Sequence, residues 1–233
     1  MINMREKNSK YQYFEKLERK KVYHNWINYV WKLFGFLGEK FYKKYPPVIT
    51  HPSGKSYLNL GAGGEIKNGF VNADFYRFNK LYSQQRSEWF LDITKNFKCD
   101  NNYWDGIYLS HVNEHITYIQ NYKLFLELFR IIKPGCILRI IIPDLDTYLD
   151  WENKIKDHKN NMNRYGSLPE AISNLTQNHQ HISIWNYNLL KDVLTEIGFS
   201  KVRKVSFNIG EDNNLLIDNQ DKEWESFYCE AKK

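Results

Sequence analysis

The stretch from Tyr57 to Asp74 constrains the fold of this chain most strongly. A short apolar run ends in a turn that holds three glycines, Gly61, Gly63 and Gly64, and a second apolar run then ends on the carboxylate of Asp74. Glycine lacks a Cβ atom and tolerates positive φ, so a ligand can lie against the backbone N–H groups of such a turn. This order predicts a nucleoside site at the tips of two parallel strands, with Asp74 on a ribose diol. A tight strand-connecting turn followed by a surface carboxylate is the alternative.

After this stretch, short apolar runs alternate with helical patterns, which is typical of a parallel sheet covered by helices on both faces. Nine residues separate Leu60 from Phe70, fewer than the roughly 12 that usually cross between parallel strands, so the first helix must be abbreviated or the second strand very short. Lys133–Gly135 is predicted to stop a helix and turn the chain into a central strand. Strands are predicted at 56–60, 70–73, 88–91, 106–109 and 136–142, helices at 120–132 and 186–197, and a closing antiparallel pair at 201–207 and 227–231.

The length of 233 residues fits one large domain with an extension. We divide the chain into a basic N-terminal extension, 1–55, and a main domain, 56–233, in which the polar segment 144–180 is predicted to select the substrate. The net charge is +6, and the extension alone carries 12 basic and four acidic residues. Its apolar residues recur at steps of three and four and predict an amphipathic helix: Tyr23, Trp26, Ile27, Val30, Trp31 and Phe34.

Such a basic amphipathic helix usually packs on its own domain, but it also permits peripheral contact with an anionic membrane. Contact with a nucleic acid or a phosphorylated substrate is a further alternative. Cys99, Cys136 and Cys229 are widely spaced and follow no metal-ligand pattern, which favours a reduced, cytoplasmic setting. Because no apolar run approaches the roughly 20 residues that span a bilayer, we expect a soluble protein.

Polar residues recur where the predicted strands end, and ligands of open α/β sheets bind outside the carboxyl ends of the strands. These residues are the glycine turn, Asp74, Asp92 and the run Ser110–His115. A nicotinamide dinucleotide fits less well, because Ile66 replaces the third glycine of its fingerprint and Asp74 comes 13 residues after Gly61 rather than about 20.

Four segments together carry a resemblance to a known family. They are Leu-Asn-Leu-Gly-Ala-Gly at 58–63, Gly-Phe-Val-Asn-Ala-Asp at 69–74, Trp-Asp-Gly-Ile-Tyr-Leu-Ser-His-Val-Asn-Glu-His at 104–115 and Arg-Ile-Ile-Lys-Pro-Gly-Cys-Ile-Leu-Arg-Ile-Ile-Ile-Pro-Asp-Leu at 130–145. The chain resembles the class I S-adenosylmethionine-dependent methyltransferases, and especially a subset found among bacterial surface-polysaccharide enzymes. The resemblance implies a Rossmann-like, seven-stranded sheet of order 3-2-1-4-5-7-6 whose last strand is antiparallel.

The resemblance also implies roles for individual residues. Gly61 and Gly63 would lie against the methionine moiety of S-adenosylmethionine, Asp74 would hold the ribose hydroxyls, Asp92 would approach the adenine amine, and the end of the fourth strand would border the methyl group. Two residues depart from the family pattern, namely Ala62 for the usual cysteine and Asn113 for the common leucine. The predicted cofactor-binding set is Leu60, Gly61, Ala62, Gly63, Asp74, Phe75, Asp92, Ile93, Ser110 and His111.

Methyl transfer to a hydroxyl needs an aligned nucleophile and benefits from a base, for which histidine is suited. The catalytic candidates are His111, His115, His181 and Asp144, and each has a structural alternative: His115 with Glu114 could brace the fold, His181 could be exposed at the rim, and Asp144 could cap a helix. His111 and His115 are spaced to share a helix face, but without an evident third ligand we predict no metal site.

The function predicted from the sequence is transfer of a methyl group from S-adenosylmethionine to an oxygen of a small-molecule or glycan acceptor. A sugar or a phosphate-bearing precursor of a bacterial surface glycan is the expected acceptor. The basic extension motivates RNA methylation as an alternative, although we expect a nucleic acid less than a glycan. Asn113 motivates the alternative of an inactive, cofactor-binding scaffold.

Overall fold

A computed structural model describes residues 45–75, 87–159, 165–178 and 181–233. The amphipathic stripe predicted in the extension lies outside these residues. Seven strands form one sheet in the order β3-β2-β1-β4-β5-β7-β6, which confirms the predicted topology. The strands are β1 (Tyr57–Leu60), β2 (Phe70–Asp74), β3 (Trp89–Phe90), β4 (Trp104–Ser110), β5 (Ile132–Pro143), β6 (Ser200–Val205) and β7 (Ser226–Lys232).

The strand directions divide the sheet into two parts. The strands β1 to β5 pair in parallel, whereas β7 runs antiparallel to both β5 and β6. Because β1 and β4 are adjacent and parallel, Leu60 stands opposite Leu109. The residues that follow these two strands therefore emerge at the same edge of the sheet, where the predicted site lies.

The connection from β1 to β2 contains turns and no helix across residues 61–69, as its short length predicts. The backbone N–H groups of Gly61 and Ala62 donate to the carbonyl of Ala73, over 2.8 and 3.1 Å, and hold the turn against the end of β2. Below it, the Asn59 side chain donates to the carbonyl of Glu65 and to the amide oxygen of Asn72. These bonds satisfy the polar groups that a helix would otherwise have paired.

The predicted turn at Lys133–Gly135 is wrong in one respect, because β5 begins at Ile132 and includes it. Ile132 pairs with Trp104, and the next pair along the ladder joins Gly106 to Ile137, so the three-residue segment lies in a bulge. A bulge can absorb Pro134, which has no N–H to give to a regular ladder, and Gly135, whose φ is +79°.

Five α-helices accompany the sheet in the described residues. The long helix α1 begins with a capping box, in which Thr117 and Gln120 bond to each other's backbone, and α5 begins at the cap Asn186 and ends at Gly198, whose φ is +116°. Both bury leucines in the main apolar core on one face of the sheet. The helices are α1 (Tyr118–Ile131), α2 (Leu145–Leu149), α3 (Trp151–Lys154), α4 (Leu168–Ser173) and α5 (Tyr187–Ile197).

The opposite face carries a smaller apolar cluster, which Leu215 of the 3₁₀ helix Asn213–Leu215 helps to cover. The predicted substrate-selecting segment folds around a third cluster of its own, where Tyr148, Trp151 and Leu175 pack with Trp224. Among the described helices, none has the length and apolar character needed to cross a bilayer.

Candidate active site

The glycine turn and the carboxylate predicted to act together are joined directly. The Gly63 N–H donates to Asp74 Oδ2 over 2.7 Å, and Asp74 is 8% exposed at the end of β2. Gly63 has a φ of +53° and no described atom within 4 Å of the position that a Cβ would take. The turn therefore presents an open backbone surface beside a buried carboxylate, and such a surface can accommodate a polar ligand.

Gly61 has a different reason to be glycine. Its φ is +70°, and a Cβ there would overlap Val112 Cγ2 and stand 3.0 Å from Cγ1. Val112 directly follows His111, so the close approach fixes the distance between the glycine turn and the end of β4. Leu60 and Ala62, the residues on either side of Gly61, are both buried.

Three further members of the predicted cofactor-binding set, Phe75, Asp92 and Ile93, lie beyond the ends of β2 and β3. Phe75 packs against Phe90, with ring centroids 5.4 Å apart, and Ile93 packs on the main core. The Asp92 carboxylate accepts from Thr94, through its N–H at 3.0 Å and its hydroxyl at 2.7 Å. Asp92 thus shapes the turn after β3, and its contact with adenine stays a prediction.

At the end of β4, where Ser110 is the last strand residue, His111 adopts a φ of +54°. Its N–H donates to the Ile141 carbonyl of β5 over 3.0 Å, and its Nε2 lies 2.9 Å from the hydroxyl oxygen of Ser226. A positive φ is unfavourable for a residue with a side chain and persists where the surroundings impose it, which occurs most often at functional sites. The imidazole is thus held in a defined position beside the strand ends.

Glu114 lies at the centre of three histidines, which together with it we call the Glu114 cluster. Its Oε1 is 3.3 Å from His111 Nδ1, 4.0 Å from His115 Nε2 and 3.9 Å from His181 Nε2. The Glu114 side chain is 2% exposed, the His181 side chain 5% and the His115 side chain 43%. Among the described residues, neither carboxylate oxygen has an aligned hydrogen bond.

The backbone explains how distant parts of the chain meet in this cluster. Glu114 and His115 belong to the 3₁₀ turn Asn113–His115 that follows β4. The N–H groups of Ile182 and Ser183 both donate to the Glu114 carbonyl, over 2.7 and 3.1 Å, and bring His181 alongside. The rings of His115 and His181 meet edge to face, with centroids 5.0 Å apart.

The electrostatics of the cluster favour a charged carboxylate. Burial alone would raise the pKa of Glu114, but its contact with His111 and the charges of His111, His115 and His181 outweigh burial and lower the pKa to about 2. Glu114 is therefore an anion at neutral pH, fully enclosed and facing three imidazoles.

Asn113, the residue that departs from the family pattern, is buried beside this cluster and is matched by a second amide. Its Nδ2 donates to Asn121 Oδ1 over 2.7 Å, and Asn121 Nδ2 donates back to the Asn113 carbonyl over 2.7 Å. The Ser183 hydroxyl donates to the same carbonyl. The unusual amide thus braces the turn that carries Glu114, so it does not by itself indicate an inactive site.

Asp144, the fourth catalytic candidate, follows β5 and is 2% exposed. Its side chain caps α2 by accepting from the Asp146 N–H, and it also accepts from the Thr147 hydroxyl over 3.2 Å. Lys204 of β6 lies 3.3 Å from its Oδ2. The carboxylate therefore has structural partners, and its role as a base stays a prediction.

The structure groups the predicted residues into two sets at one edge of the sheet, the glycine turn with Asp74 and the three histidines. Sequence reasoning did not identify Glu114 as the residue that contacts all three histidines, and it did not place His181 beside the other two. The spacing His111-x-x-Glu114-His115 was the available signal, because it places three ligating side chains on consecutive turns after a strand.

No family model and no curated protein matches this sequence. Among solved structures, the chain is similar to a SAM-dependent methyltransferase from Archaeoglobus fulgidus, with 15% identity, 87% of this chain and 94% of that chain covered, and a TM-score of 0.49. A SAM-dependent methyltransferase from Aquifex aeolicus matches with 14% identity, 79% and 84% coverage, and a TM-score of 0.44.

A third similar structure is phosphoethanolamine N-methyltransferase 2 from Haemonchus contortus, bound to phosphomonomethylethanolamine and S-adenosylhomocysteine. Its identity is 15% and its TM-score 0.49, and the match covers 80% of this chain but 50% of that one. At such identities and TM-scores, these similarities carry no argument about the reaction or the acceptor of this chain.

Proposed function

We propose that this chain binds S-adenosylmethionine at the ends of β1, β2 and β4 and transfers its methyl group to an oxygen. The observation that carries the proposal is the hydrogen bond from the Gly63 N–H to Asp74, made inside a sheet of order 3-2-1-4-5-7-6. The bond sets a carboxylate beside an exposed backbone turn, with His111 across the adjacent strand end. The residues present therefore fit a nucleoside that carries a charged sulfonium arm.

Each group would have a limited task, because the sulfonium of the cofactor is already an activated electrophile. Asp74 would hold the ribose hydroxyls, the glycine turn would accommodate the methionine moiety, and His111 would border the methyl group. Positioning an acceptor in line with the S–CH₃ bond supplies much of the acceleration in such a reaction. The roles of His111, His115, His181 and Asp144 as bases stay predictions.

For the acceptor, we propose the hydroxyl of a sugar or of a phosphate-bearing precursor of a bacterial surface glycan. The proposal derives from the resemblance of the four quoted segments to surface-polysaccharide enzymes. The described part of the segment 144–180 packs in an apolar cluster with Trp224 and offers a surface on which an acceptor could be selected. Residues 1–44 lie outside the described residues, so their contact with a membrane or an RNA stays an untested prediction.

The cofactor proposal is tested by calorimetric titration with S-adenosylhomocysteine. We expect Asp74→Ala to weaken binding by at least about tenfold, since a lost hydrogen bond to a charged group is worth roughly 1.5–3 kcal/mol. Asp74→Asn keeps an acceptor for the Gly63 N–H and should lose less.

Asp100→Ala is the matched control, because Asp100 is an exposed aspartate away from the strand ends. Its affinity should equal that of the wild type. An absence of binding by the folded wild-type chain would refute the cofactor proposal, and an unchanged affinity in Asp74→Ala would refute the ribose role.

A further inference from the structure

We propose that Glu114, His115 and His181 form a binding site for one divalent transition-metal ion. One ligand atom from each of these residues lies within 4.8 Å of the other two. Two imidazoles and one carboxylate are a ligand set that holds zinc and other first-row metals in proteins while leaving coordination positions open. The sequence alone did not predict this site, because the third ligand comes from a distant part of the chain.

The state of the Glu114 carboxylate is an independent observation that points to a ligand. It is 2% exposed, and neither of its oxygens has an aligned hydrogen bond among the described residues. Leaving a buried carboxylate without hydrogen bonds is costly, and buried charges in proteins are normally paired or bound to metals. A cation bound between Glu114 and the histidines would give the Glu114 carboxylate the partner that its oxygens lack.

The distances are close to those of an assembled site. Two ligand atoms that each lie about 2.1 Å from a tetrahedral metal are about 3.4 Å apart. The Glu114 Oε1 atom is 4.0 Å from His115 Nε2 and 3.9 Å from His181 Nε2. Side-chain rotations would have to close these two gaps by about 0.5 Å and bring together the two histidine ligand atoms, which lie within 4.8 Å of each other. The His115 side chain, 43% exposed, has room to move.

The residues of the site indicate which metals it prefers and from which side solvent reaches it. The imidazoles favour zinc, iron, cobalt or nickel over magnesium, which prefers oxygen ligands. The exposed His115 leaves one side of the site open to solvent, where an oxygen donor such as water or a hydroxyl fits. That this hydroxyl belongs to a methyl acceptor rests on the proposed function, whereas metal binding itself does not.

The test is calorimetric titration of the full chain with Zn²⁺, in the absence of S-adenosylmethionine and of any acceptor. We expect one site per chain. His115→Ala and His181→Ala each remove a ligand, so we expect affinity to fall by more than the roughly 10–100-fold that removal of an outer partner costs. A parallel titration with Mg²⁺ should give much weaker binding.

His158→Ala is the matched control, because His158 stacks on Trp224, outside the cluster, and it should bind Zn²⁺ as the wild type does. Glu114→Gln keeps the shape of the buried side chain and should abolish binding; a circular-dichroism melt establishes whether this variant is folded. If Glu114→Gln does not fold, the Zn²⁺ affinity of His115→Ala, which alters an exposed side chain, tests the proposal instead.

No Zn²⁺ binding by the wild type would overturn the proposal and leave the histidines as counter-charges of Glu114. Binding that His115→Ala and His181→Ala leave unchanged would place the ion elsewhere and would overturn it equally. Because these titrations contain neither cofactor nor acceptor, their result is independent of the S-adenosylhomocysteine titration. Either proposal can therefore fail while the other stands.

Discussion

Two buried charged centres in this molecule differ in how completely their charges are paired. In the first, which we call the Arg139 network, the Arg139 guanidinium donates to Asp218 through Nε at 2.9 Å and through Nη2, and to Glu230 through Nη1 at 3.1 Å. It also donates to the carbonyls of Ser206 and Ile209. In the Glu114 cluster the carboxylate has contacts of 3.3–4.0 Å and no aligned hydrogen bond among the described residues.

The Arg139 network also keeps its charge although it is buried. Burial lowers the pKa of Arg139, but its bonds to Asp218 and the charges of Asp218 and Glu230 outweigh burial and raise it. Asp218 Oδ2 also accepts from the Asn208 N–H over 2.8 Å, and the other Glu230 oxygen, Oε2, accepts from Arg203 Nη2 over 2.9 Å. The Arg139 network therefore has no unsatisfied charge to offer a ligand, whereas the Glu114 carboxylate, which has no aligned hydrogen bond among the described residues, can still accept one.

The largest effect that we expect from this comparison is the loss of the Arg139 network. Arg139→Met leaves Asp218 and Glu230 buried without their counter-charge, and breaking a buried ion pair in this way costs about 3–5 kcal/mol. Equilibrium urea unfolding measures the change. A loss below about 1 kcal/mol, the worth of an exposed ion pair, would show that the network is not what stabilises this part of the sheet.

The second effect concerns the Glu114 cluster, which should respond to a ligand that the Arg139 network cannot take up. With Zn²⁺ at 100 times its dissociation constant, binding to the folded chain alone should raise the free energy of unfolding by about 2.7 kcal/mol. The same urea experiment with and without Zn²⁺ measures it. His115→Ala should show no such increase. An equal increase in that variant would show that Zn²⁺ does not bind at the Glu114 cluster, so the two centres would not differ in their response to the metal.

The smallest effect is expected at Gly210, which passes close to the Arg139 network. A Cβ on this residue would stand 2.7 Å from Glu230 Cδ and 3.0 Å from Arg139 Nη1. Gly210→Ala should therefore displace the Glu230 carboxylate and cost about 1–3 kcal/mol, as overpacking of a filled interior does. Gly64→Ala, where no described atom lies within 4 Å of the new Cβ and φ is not positive, controls for loss of glycine flexibility alone; equal losses in both variants would exclude crowding as the cause.

The sequence predicted most of the sheet because the strands β1, β2, β4 and β5 are local apolar runs followed by polar residues. The order of the strands came from the family resemblance, and the missing first helix followed from the nine residues between β1 and β2. The bulge at Lys133–Gly135 was missed, since a Pro-Gly pair is typical of turns between elements, and Trp104, the ladder partner of the preceding residue Ile132, is distant in the chain.

The two charged centres were less predictable for the same physical reason. Arg139 lies in an apolar run, and its partners Asp218 and Glu230 come from a loop and a strand much later in the chain. Similarly, His181 reaches Glu114 through backbone bonds from Ile182 and Ser183 that no local pattern specifies. Local periodicity determines elements, whereas pairing of distant polar groups depends on the completed fold.

The placement of β7 between β5 and β6 has a consequence for how the chain acquires its structure during synthesis. β6 precedes β7 in the chain, yet its ladder partner in the sheet is β7. The backbone groups of β6 therefore cannot form their ladder until residues 226–232 have been synthesised. By contrast, β1, β2 and β4 have all their parallel partners once β5 has been synthesised. The half of the sheet that carries the glycine turn can thus assemble before the antiparallel half, which requires residues 226–232.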